Sequence, residues 1–263
     1  MIFWLFGTLL IGYLVLSLIL FFIQERMIFW PKPLAENYQF QFRENVEELN
    51  LEFPNGVKLN CLHFKIKNPK GCVVYHHGNA DNLVRWGEKH HLFTQNGYDF
   101  FVYDYRSFGK SKGRLSEYGL FRDAQRIFNY VKIHYPEERI IQYGISLGSG
   151  VATKLAAKIM SPLLILETPY LSMYHMAKLK VPFLLNSLIL KFHIRTDKFI
   201  KKINASIYIF HGTNDELVPY EQGEKLASLN EHAKLITIEG GLHNNLQESH
   251  EYKIALKNIL ESF

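Results

Sequence analysis

The sequence predicts an α/β protein with a mostly parallel central sheet flanked by helices. Apolar, β-branched runs alternate with helix-like stretches along most of the 263 residues, and parallel strands require crossover connections of this kind. Side chains capable of chemistry also follow the C-terminal ends of several of these runs. In open α/β sheets that edge is where sites are built.

The segments predicted as strands are short and rich in aliphatic and aromatic residues: 72–76, 99–103, 139–143, 163–166, 205–210 and 234–239. The segments predicted as helices are longer: 83–95, 116–134, 150–159, 219–228 and 246–260. No internal repeat or low-complexity tract interrupts this alternation. About 220 residues outside the N-terminal segment are enough for one domain with a single core.

The N-terminal segment is apolar enough to cross a membrane. Residues 1–23 contain no charged side chain, and about 20 apolar residues span a bilayer core as a helix. A cleaved signal peptide would show a basic start and a small-residue cleavage site, and this segment has neither. The sequence therefore predicts a transmembrane anchor at 1–23, a juxtamembrane segment at 24–45 and one globular domain at 46–263.

The pentapeptide Gly144-Ile145-Ser146-Leu147-Gly148 lies between a predicted strand and a predicted helix. Strand, G-x-S-x-G and helix in succession are typical of a nucleophile elbow. There the serine occupies a strained turn that projects its hydroxyl into open space, and small residues two positions away let neighbouring backbone approach. By composition alone such a pentapeptide occurs in roughly one chain in twenty, so it needs independent support.

A carboxylate and an imidazole supply that support. Asp215 stands in the loop after 205–210, and His243 stands in the turn after 234–239. The order serine, aspartate, histidine along the chain is that of the α/β-hydrolase triad and differs from the order in other serine hydrolases. Three such residues in the right order and context make coincidence a poor explanation.

The chain resembles the α/β-hydrolases, and specifically their membrane-anchored Bem46/ABHD13-like branch. Six stretches that span nearly the whole chain carry the resemblance: QERMIFWP at 24–31, HGNA at 77–80, DYRSFGKS at 104–111, GISLG at 144–148, HGTNDELVP at 211–219 and GGLHNN at 240–245. Two positions depart from the family's usual glycine, Asp81 and Ser107. We expect Ser107 to stiffen a turn and Asp81 to place a charge near the mouth of the site.

The resemblance implies a role for each of five residues. Ser146 would attack a carbonyl carbon, His243 would take the serine proton and return it to the leaving group, and Asp215 would fix the imidazole tautomer. The backbone N–H of Leu147 and a donor from the loop at Asn79 would form the oxyanion hole.

Other polar residues at strand ends are expected to be structural: His76, His77, Asp104 and His211. His77 is predicted to hold the oxyanion loop, and Asp104 to organise the next turn through Arg106. Glu167 ends the strand at 163–166 and is an alternative triad acid. The loop of Asp215 matches the family better.

Composition excludes several classes of site. No cysteine and histidine cluster has metal-ligand spacing and no nucleotide-binding motif occurs, so neither a metal nor a cofactor is predicted. The formal net charge of +5 fits an anionic membrane surface better than nucleic acid, because no basic-aromatic motif accompanies it. The sequence fixes no oligomeric state, and it leaves open whether Cys61 and Cys72 pair.

Two basic residues bear on orientation. Arg26 and Lys32 follow the apolar segment, and no basic side chain precedes it. The positive-inside rule therefore favours a cytoplasmic globular domain.

Residues 170–203 lie where this fold commonly inserts a lid. The segment is apolar at 181–185 and 188–190, with lysine and arginine residues interleaved. One interpretation is a small helical lid that roofs an acyl pocket and touches anionic lipid with its lysines. The other is an ordinary helical pair packed over the core.

Three functions are compatible with these observations. The first is a membrane-anchored serine hydrolase of carboxylic esters or thioesters, acting on a small-molecule or lipid-like acyl substrate. The second is a serine peptidase, because the triad does not distinguish an ester from an amide. The third is a non-catalytic, membrane-bound binding module. An intact triad argues against the third, because binding alone does not require all three groups.

Overall fold

The structure, a computed structural model, describes residues 2–159, 161–182 and 189–263. The described strands are β1 (Trp30–Pro31), β2 (Val46–Phe53), β3 (Val57–Phe64), β4 (Cys72–His76), β5 (Ala80–Asp81), β6 (Asp99–Tyr103), β7 (Ile140–Ile145), β8 (Leu163–Glu167), β9 (Ser206–Gly212) and β10 (Ala233–Ile238). Eight of them form one sheet in the order β10-β9-β8-β7-β4-β6-β3-β2. The pairs β2–β3 and β3–β6 are antiparallel, and the others are parallel.

The described α-helices are α1 (Ile2–Ile28), α2 (Leu83–Gly87), α3 (His91–Thr94), α4 (Glu117–Val131), α5 (Leu147–Ala156), α6 (Met173–Lys180), α7 (Thr196–Phe199), α8 (Tyr220–Ala227) and α9 (His250–Ser262). Helices α4 and α5 contribute to the core on one face of the sheet, and α2, α3 and α9 contribute to the core on the other. The prediction of a mostly parallel sheet flanked by helices is confirmed.

Two predicted helices differ from those observed. The segment predicted as one helix at 83–95 is divided into α2, a 3-10 turn at Glu88–His90 and α3. The division follows Gly87, a weak helix former that lies against the ring of Phe42, where a side chain would not fit. The last helix begins after a 3-10 turn at Leu246–Glu248.

Side-chain caps fix where several helices begin. The Asn82 side chain accepts a hydrogen bond from the Val84 N–H at 2.9 Å, and Ser116 Oγ accepts one from the Gly119 N–H at 3.0 Å. Such caps satisfy backbone donors that have no partner inside the helix, and each contributes about 1 kcal/mol. The starts of α2 and α4 are therefore set by the sequence.

Helix α1 is the one described helix that is long and apolar enough to cross a membrane, over Trp4–Ile28. Its 27 residues extend roughly 40 Å, longer than a hydrocarbon core of about 30 Å. The chain then enters β1, which pairs in parallel with β5 in the register Trp30 to Ala80. The end of α1 is thereby joined to the loop that follows β4.

The two cysteines are buried and free. Cys61 lies on β3 and Cys72 on β4, and strand β6 runs between them. Adjacent strands are about 4.8 Å apart, so two non-adjacent strands are about 10 Å apart, too far for a disulfide.

The lid segment, residues 170–203, is described in part. Residues 183–188, which include much of its apolar stretch, lie outside the described residues. Its described parts are joined, because the Met173 N–H donates to the His193 carbonyl at 3.1 Å. Glu117 accepts hydrogen bonds from the backbone of His193 and Ile194, so the base of the segment is fastened to α4.

Candidate active site

Ser146 sits on a strained turn between β7 and α5. Its φ is +50° and its ψ is −118°, a conformation that non-glycine residues rarely adopt. The Ser146 N–H donates to the Glu167 carbonyl at 2.9 Å, which ties the turn to the end of β8. Strain of this kind persists only where the surrounding structure imposes it.

The flanking glycines make the turn sterically possible. A Cβ at Gly148 would overlap the carbonyl oxygen of His76 at the end of β4, and a Cβ at Gly144 would overlap the carbonyl of Gly148 and the Cα of Ser149. Glycine is therefore required at both positions by close backbone approach, which is the reason expected for the motif.

His243 lies between Ser146 and Asp215 and is bonded to both. Its Nε2 is 3.0 Å from Ser146 Oγ, and its Nδ1 is 2.8 Å from Asp215 Oδ2. A carboxylate only accepts hydrogen bonds, so Nδ1 carries the proton and Nε2 is free to accept the serine hydroxyl hydrogen. The three sequence-predicted residues form one hydrogen-bonded chain.

The loops that carry Asp215 and His243 are held to each other. The Thr213 N–H donates to the Ile238 carbonyl at 3.1 Å, and the Asn214 N–H donates to the Gly241 carbonyl at 3.0 Å. These bonds bridge the ends of β9 and β10, which are neighbours in the sheet. The spacing between carboxylate and imidazole is therefore built into the scaffold.

Asp215 is buried and fully engaged. Its Oδ1 accepts the N–H groups of Leu217 and Val218 at 2.9 and 2.8 Å, and His211 Nε2 lies 3.3 Å from its Oδ2. Burial alone would raise the pKa of Asp215, but the hydrogen bonds from His211 and His243 outweigh it and hold that pKa well below its usual range. The carboxylate is therefore ionised at neutral pH.

A mostly apolar cavity of about 230 Å³ opens beside Ser146. Its walls come from α1, the loop after β4, the start of α5, the lid segment and the loop after β9; they are formed by Leu20, Gln24, Met27, Ile28, Asn79, Ser146, Leu147, Tyr170, Met173, Met176, Ala177, Lys180, Val181, Ile189, Leu190, Leu217 and Val218. A substrate group bound there would lie against the serine hydroxyl.

Leu147 and Asn79 both line this cavity. Leu147 is the first residue of α5, and the first N–H groups of a helix lack an intrahelical acceptor. The Asn79 side-chain amide donates one of its two N–H groups to the Ile28 carbonyl at 2.6 Å, and this bond holds the side chain against the end of α1.

His77 is buried beneath the oxyanion loop. Its Nδ1 donates to the Gly78 carbonyl at 2.7 Å, and its ring stacks against Trp86 and contacts Tyr105. Burial lowers the pKa of His77 to about 3, so the ring is neutral and its contacts are structural.

The expected link between Asp104 and Arg106 is wrong. Arg106 instead forms a bidentate pair with Asp123 on α4, at 2.5 and 2.8 Å. Asp104 points inward, where it accepts the Leu83 N–H and faces His77 Nε2 at 3.6 Å. Asp104 and Arg106 are two residues apart on a turn, and their side chains point in different directions. The sequence did not reveal this difference.

Glu167, the alternative acid, is bonded to side chains other than His243. Its carboxyl group accepts hydrogen bonds from Tyr143, Tyr252 and Gln247. Burial raises the pKa of Glu167. These partners hold the segment after His243 against the sheet, so Glu167 has a structural position.

Asp81 and Ser107, which replace the family's usual glycines, adopt the positive φ that glycine favours. Asp81 has φ +70° and Ser107 has φ +69°. Asp81 pairs with Lys32 at 2.6 Å and Arg85 at 3.2 Å. The expected effect of its charge on the mouth of the site stays a prediction.

Sequence reasoning missed the contribution of α1 to the cavity. Leu20, Gln24, Met27 and Ile28 all line it. A signal was present, since Gln24 is a polar residue at the end of an otherwise apolar segment. Within the described parts of the chain, no group of three or more His, Cys, Asp or Glu residues is arranged to hold a metal ion.

The chain is similar to several known proteins. The hydrolase family described as serine aminopeptidase, S33, matches residues 67–196. Uncharacterized protein R595 of Acanthamoeba polyphaga mimivirus is 33% identical over 248 residues, which cover 84% of this chain and 83% of that protein. Lysophosphatidylserine lipase ABHD12 of Bos taurus is 30% identical over 184 residues, 60% of this chain and 44% of the lipase. The chain thus spans less than half the length of that relative.

A solved structure shows the same fold. An esterase of Pyrococcus furiosus, Pf2001, superposes with a TM-score of 0.69 over 89% of this chain and 99% of the esterase, at 20% sequence identity. At this identity the likeness shows the fold alone, and the family match supports hydrolase activity. Family match, fold and the elbow after β7 together show that the chain belongs to the α/β-hydrolase superfamily.

Proposed function

We propose that the chain is a membrane-anchored serine hydrolase of the Bem46/ABHD13-like type that cleaves carboxylic esters or thioesters, among them lipid or protein-linked acyl groups. The observation that carries the proposal is the hydrogen-bonded chain from Ser146 through His243 to Asp215 at the wall of an apolar cavity. A hydroxyl, an imidazole and a buried carboxylate in this order are the groups that acyl transfer requires.

In the first half-reaction Ser146 Oγ attacks the carbonyl carbon while His243 Nε2 takes its proton. The imidazolium that forms is stabilised by the Asp215 carboxylate, 2.8 Å from Nδ1. The protonated Nε2 then donates to the departing alcohol or thiol, and the acyl group remains on Ser146. Water repeats the sequence in the second half-reaction and releases the acid.

The negative charge of the tetrahedral intermediate requires fixed donors. The backbone N–H of Leu147, at the N-terminus of the ten-residue helix α5, and that of Asn79 are proposed for this role. The dipole of α5 adds a positive potential at the same point. Removal of one such donor costs about 3 kcal/mol of transition-state stabilisation, so the geometry of both loops matters.

The part of α1 within residues 1–23 is proposed as the membrane anchor, followed by a juxtamembrane segment at 24–45, in which α1 continues to Ile28, and the hydrolase domain at 46–263. The length of α1, its apolar composition and the exposure of most of its side chains support this. An exposed apolar helix of this size is not stable in water, because nothing covers its side chains. Arg26 and Lys32, which follow the span, favour a cytoplasmic hydrolase domain.

A serine peptidase is the second candidate, and the description of the matching family, a serine aminopeptidase, favours it. An aminopeptidase must bind a free α-amine, which calls for an acidic group near the nucleophile. The described residues that line the cavity include Lys180 and no aspartate or glutamate. The apolar cavity is better suited to an acyl chain.

A fluorophosphonate probe tests the proposal, because it reacts with activated serines. We expect the full-length protein in detergent micelles to be labelled, Ser146→Ala to be unlabelled and the surface variant Ser228→Ala to be labelled at the wild-type rate. Absence of labelling in folded wild-type protein would leave the non-catalytic binding module as the better explanation.

A panel of p-nitrophenyl esters and aminoacyl p-nitroanilides separates ester from peptide chemistry. We expect kcat/KM to rise from acetate to octanoate, because the cavity beside Ser146 is mostly apolar and has a volume of about 230 Å³, so that a longer chain buries more apolar surface there. Faster turnover of the anilides than of every ester would favour the peptidase, and a preference for acetate would contradict an acyl pocket.

A further inference from the structure

Helix α1 packs against the rest of the chain along one stripe. Ser17 and Gln24 are buried, and Leu20 between them is partly covered. These positions recur at three and four residues and therefore lie on one face of the helix. Leu18 and Phe22, on other faces, are 58% and 66% exposed. The helix thus has a protein-facing side and a lipid-facing side.

Gln24 fastens this stripe to the lid segment. Its Nε2 donates to the Ile189 carbonyl at 2.8 Å, and its Oε1 accepts the Lys191 N–H at 2.7 Å. The side-chain amide therefore donates to one backbone group and accepts from another two residues along, as the backbone of a neighbouring β-strand would. Because the amide is buried, loss of either bond would leave a polar backbone group without its partner, at a cost to the packing of this segment.

Two further contacts reinforce the same junction. Lys191 Nζ lies 4.4 Å from the centre of the Phe21 ring, and the rings of Phe29 and Phe192 are 4.8 Å apart. The residues at 189–192 therefore follow the C-terminal part of α1 over its last two turns.

The end of α1 is also fastened to the oxyanion loop. The Asn79 amide donates to the Ile28 carbonyl at 2.6 Å, and the Trp30 N–H donates to the Asn79 carbonyl at 2.8 Å. The helix is consequently held on one side by the lid segment and on the other by the loop next to Ser146. The cavity lies between these two attachments, with Leu20, Gln24 and Met27 in its wall.

The position of Gln24 along the helix gives the level of the cavity in a membrane. Gln24 is four residues from the end of α1 at Ile28, roughly 6 Å along the axis. About 20 residues of α1 precede it, enough for the hydrocarbon core. Gln24 therefore lies at the boundary between headgroups and acyl chains, and Leu20 lies one turn deeper.

We propose that α1 is a wall of the substrate pocket as well as an anchor, and that it guides an acyl chain from the bilayer to Ser146. Gln24 is a positioning residue that holds the lid segment against this wall. The inference rests on the proposed hydrolase function. The occupant is one acyl chain of a membrane-resident ester or thioester, since the cavity is mostly apolar and is lined by both Ser146 and the residues of α1.

The wall is tested by Leu20→Trp, with Ile19→Trp as the matched control. Leu20 lines the cavity, whereas its neighbour Ile19 is 49% exposed on the lipid-facing side. In full-length enzyme in mixed micelles, Leu20→Trp is expected to lower kcat/KM for p-nitrophenyl octanoate about tenfold, a typical effect of pocket shape. Acetate hydrolysis by Leu20→Trp is expected to fall less than octanoate hydrolysis, because a two-carbon acyl group does not reach as far along the wall, and both activities of Ile19→Trp are expected to stay within about twofold of wild type.

Gln24 is tested by Gln24→Met, which keeps the length of the side chain and removes the amide, with Glu25→Gln as the control. A displaced wall weakens chain binding in ground and transition states alike, so KM for octanoate should rise about fivefold or more while kcat is preserved. A general loss of folded enzyme would instead lower the apparent kcat for both esters equally.

The outcomes separate the two proposals. Equal loss of octanoate and acetate activity in Leu20→Trp and in Gln24→Met, or no loss in either, would overturn the role of α1 while Ser146 still reacts with the fluorophosphonate probe. Failure of wild-type protein to react with the probe would overturn the hydrolase function itself. Retained probe reactivity with an altered chain-length profile supports both.

Discussion

Replacement of Asp215 by asparagine tests the tautomer that the proposed chemistry needs. In the structure Asp215 Oδ1 accepts two backbone N–H groups, from Leu217 and Val218, and Oδ2 faces His243 Nδ1. An asparagine in the same rotamer would keep its oxygen on the two N–H donors. Its NH₂ group would then face His243 Nδ1, which has to become the acceptor, and the ring proton would move to Nε2.

The loop makes the opposite orientation of the amide costly. A flipped asparagine would point its NH₂ group at the N–H groups of Leu217 and Val218 and leave both unsatisfied, at about 1–3 kcal/mol each. The unflipped amide is therefore favoured by about 2–6 kcal/mol. With a proton on Nε2, His243 cannot accept the proton of Ser146, and kcat is expected to fall about 10⁴-fold, which is about 5.5 kcal/mol of barrier.

The assay is steady-state hydrolysis of p-nitrophenyl octanoate by the full-length protein in micelles, with thermal unfolding measured in parallel. Asp197→Asn makes the same chemical change at the base of the lid segment, where Asp197 pairs with Arg195. It is expected to retain activity within about twofold, because Asp197 is neither a member of the triad nor among the described residues that line the cavity. A loss of less than about tenfold in Asp215→Asn, with the fold intact, would refute the assignment of Asp215 and the tautomer argument with it.

Two further predictions concern the scaffold. In Gly148→Ala the new methyl group would overlap the His76 carbonyl, and about 3 kcal/mol of overpacking is expected to lower the thermal unfolding midpoint by about 6–12 °C. Gly12→Ala is the control, because its methyl group meets nothing within 4 Å. Equal midpoints in the two variants would contradict the steric argument. Burial raises the pKa of Asp104 well above its ordinary value of 3.8, so the native state keeps a proton that the unfolded chain loses, and stability should fall as pH rises from the ordinary pKa toward the folded one. Asp104→Asn removes this titration. Denaturant unfolding at a series of pH values should show the free energy of unfolding of the variant rising relative to that of wild type by about 1.4 kcal/mol per pH unit within that window. A difference in unfolding free energy that does not depend on pH would show that Asp104 does not titrate this way.

Much of the site follows from local rules that a sequence displays directly. The spacing of Gly144 and Gly148 predicts the elbow at Ser146, because neighbouring backbone comes so close at both positions that a side chain would not fit. Asp215 and His243 were identifiable because each follows a short apolar run, and the ends of parallel strands share one edge. The caps at Asn82 and Ser116 likewise act within three residues of themselves.

The side-chain pairings at two turns were not evident from the sequence. Arg106 pairs with Asp123 rather than Asp104, and Asp81 pairs with Lys32 and Arg85, because side-chain direction on a turn depends on packing that no local pattern encodes.

Apolar composition alone identified residues 1–23 as a candidate membrane span. That α1 also lines the cavity, with Gln24 bonded to residues 189 and 191, depended on the tertiary structure. Only folding brings segments more than 160 positions apart into hydrogen-bonding distance. The composition of a segment does not determine which distant segment it contacts.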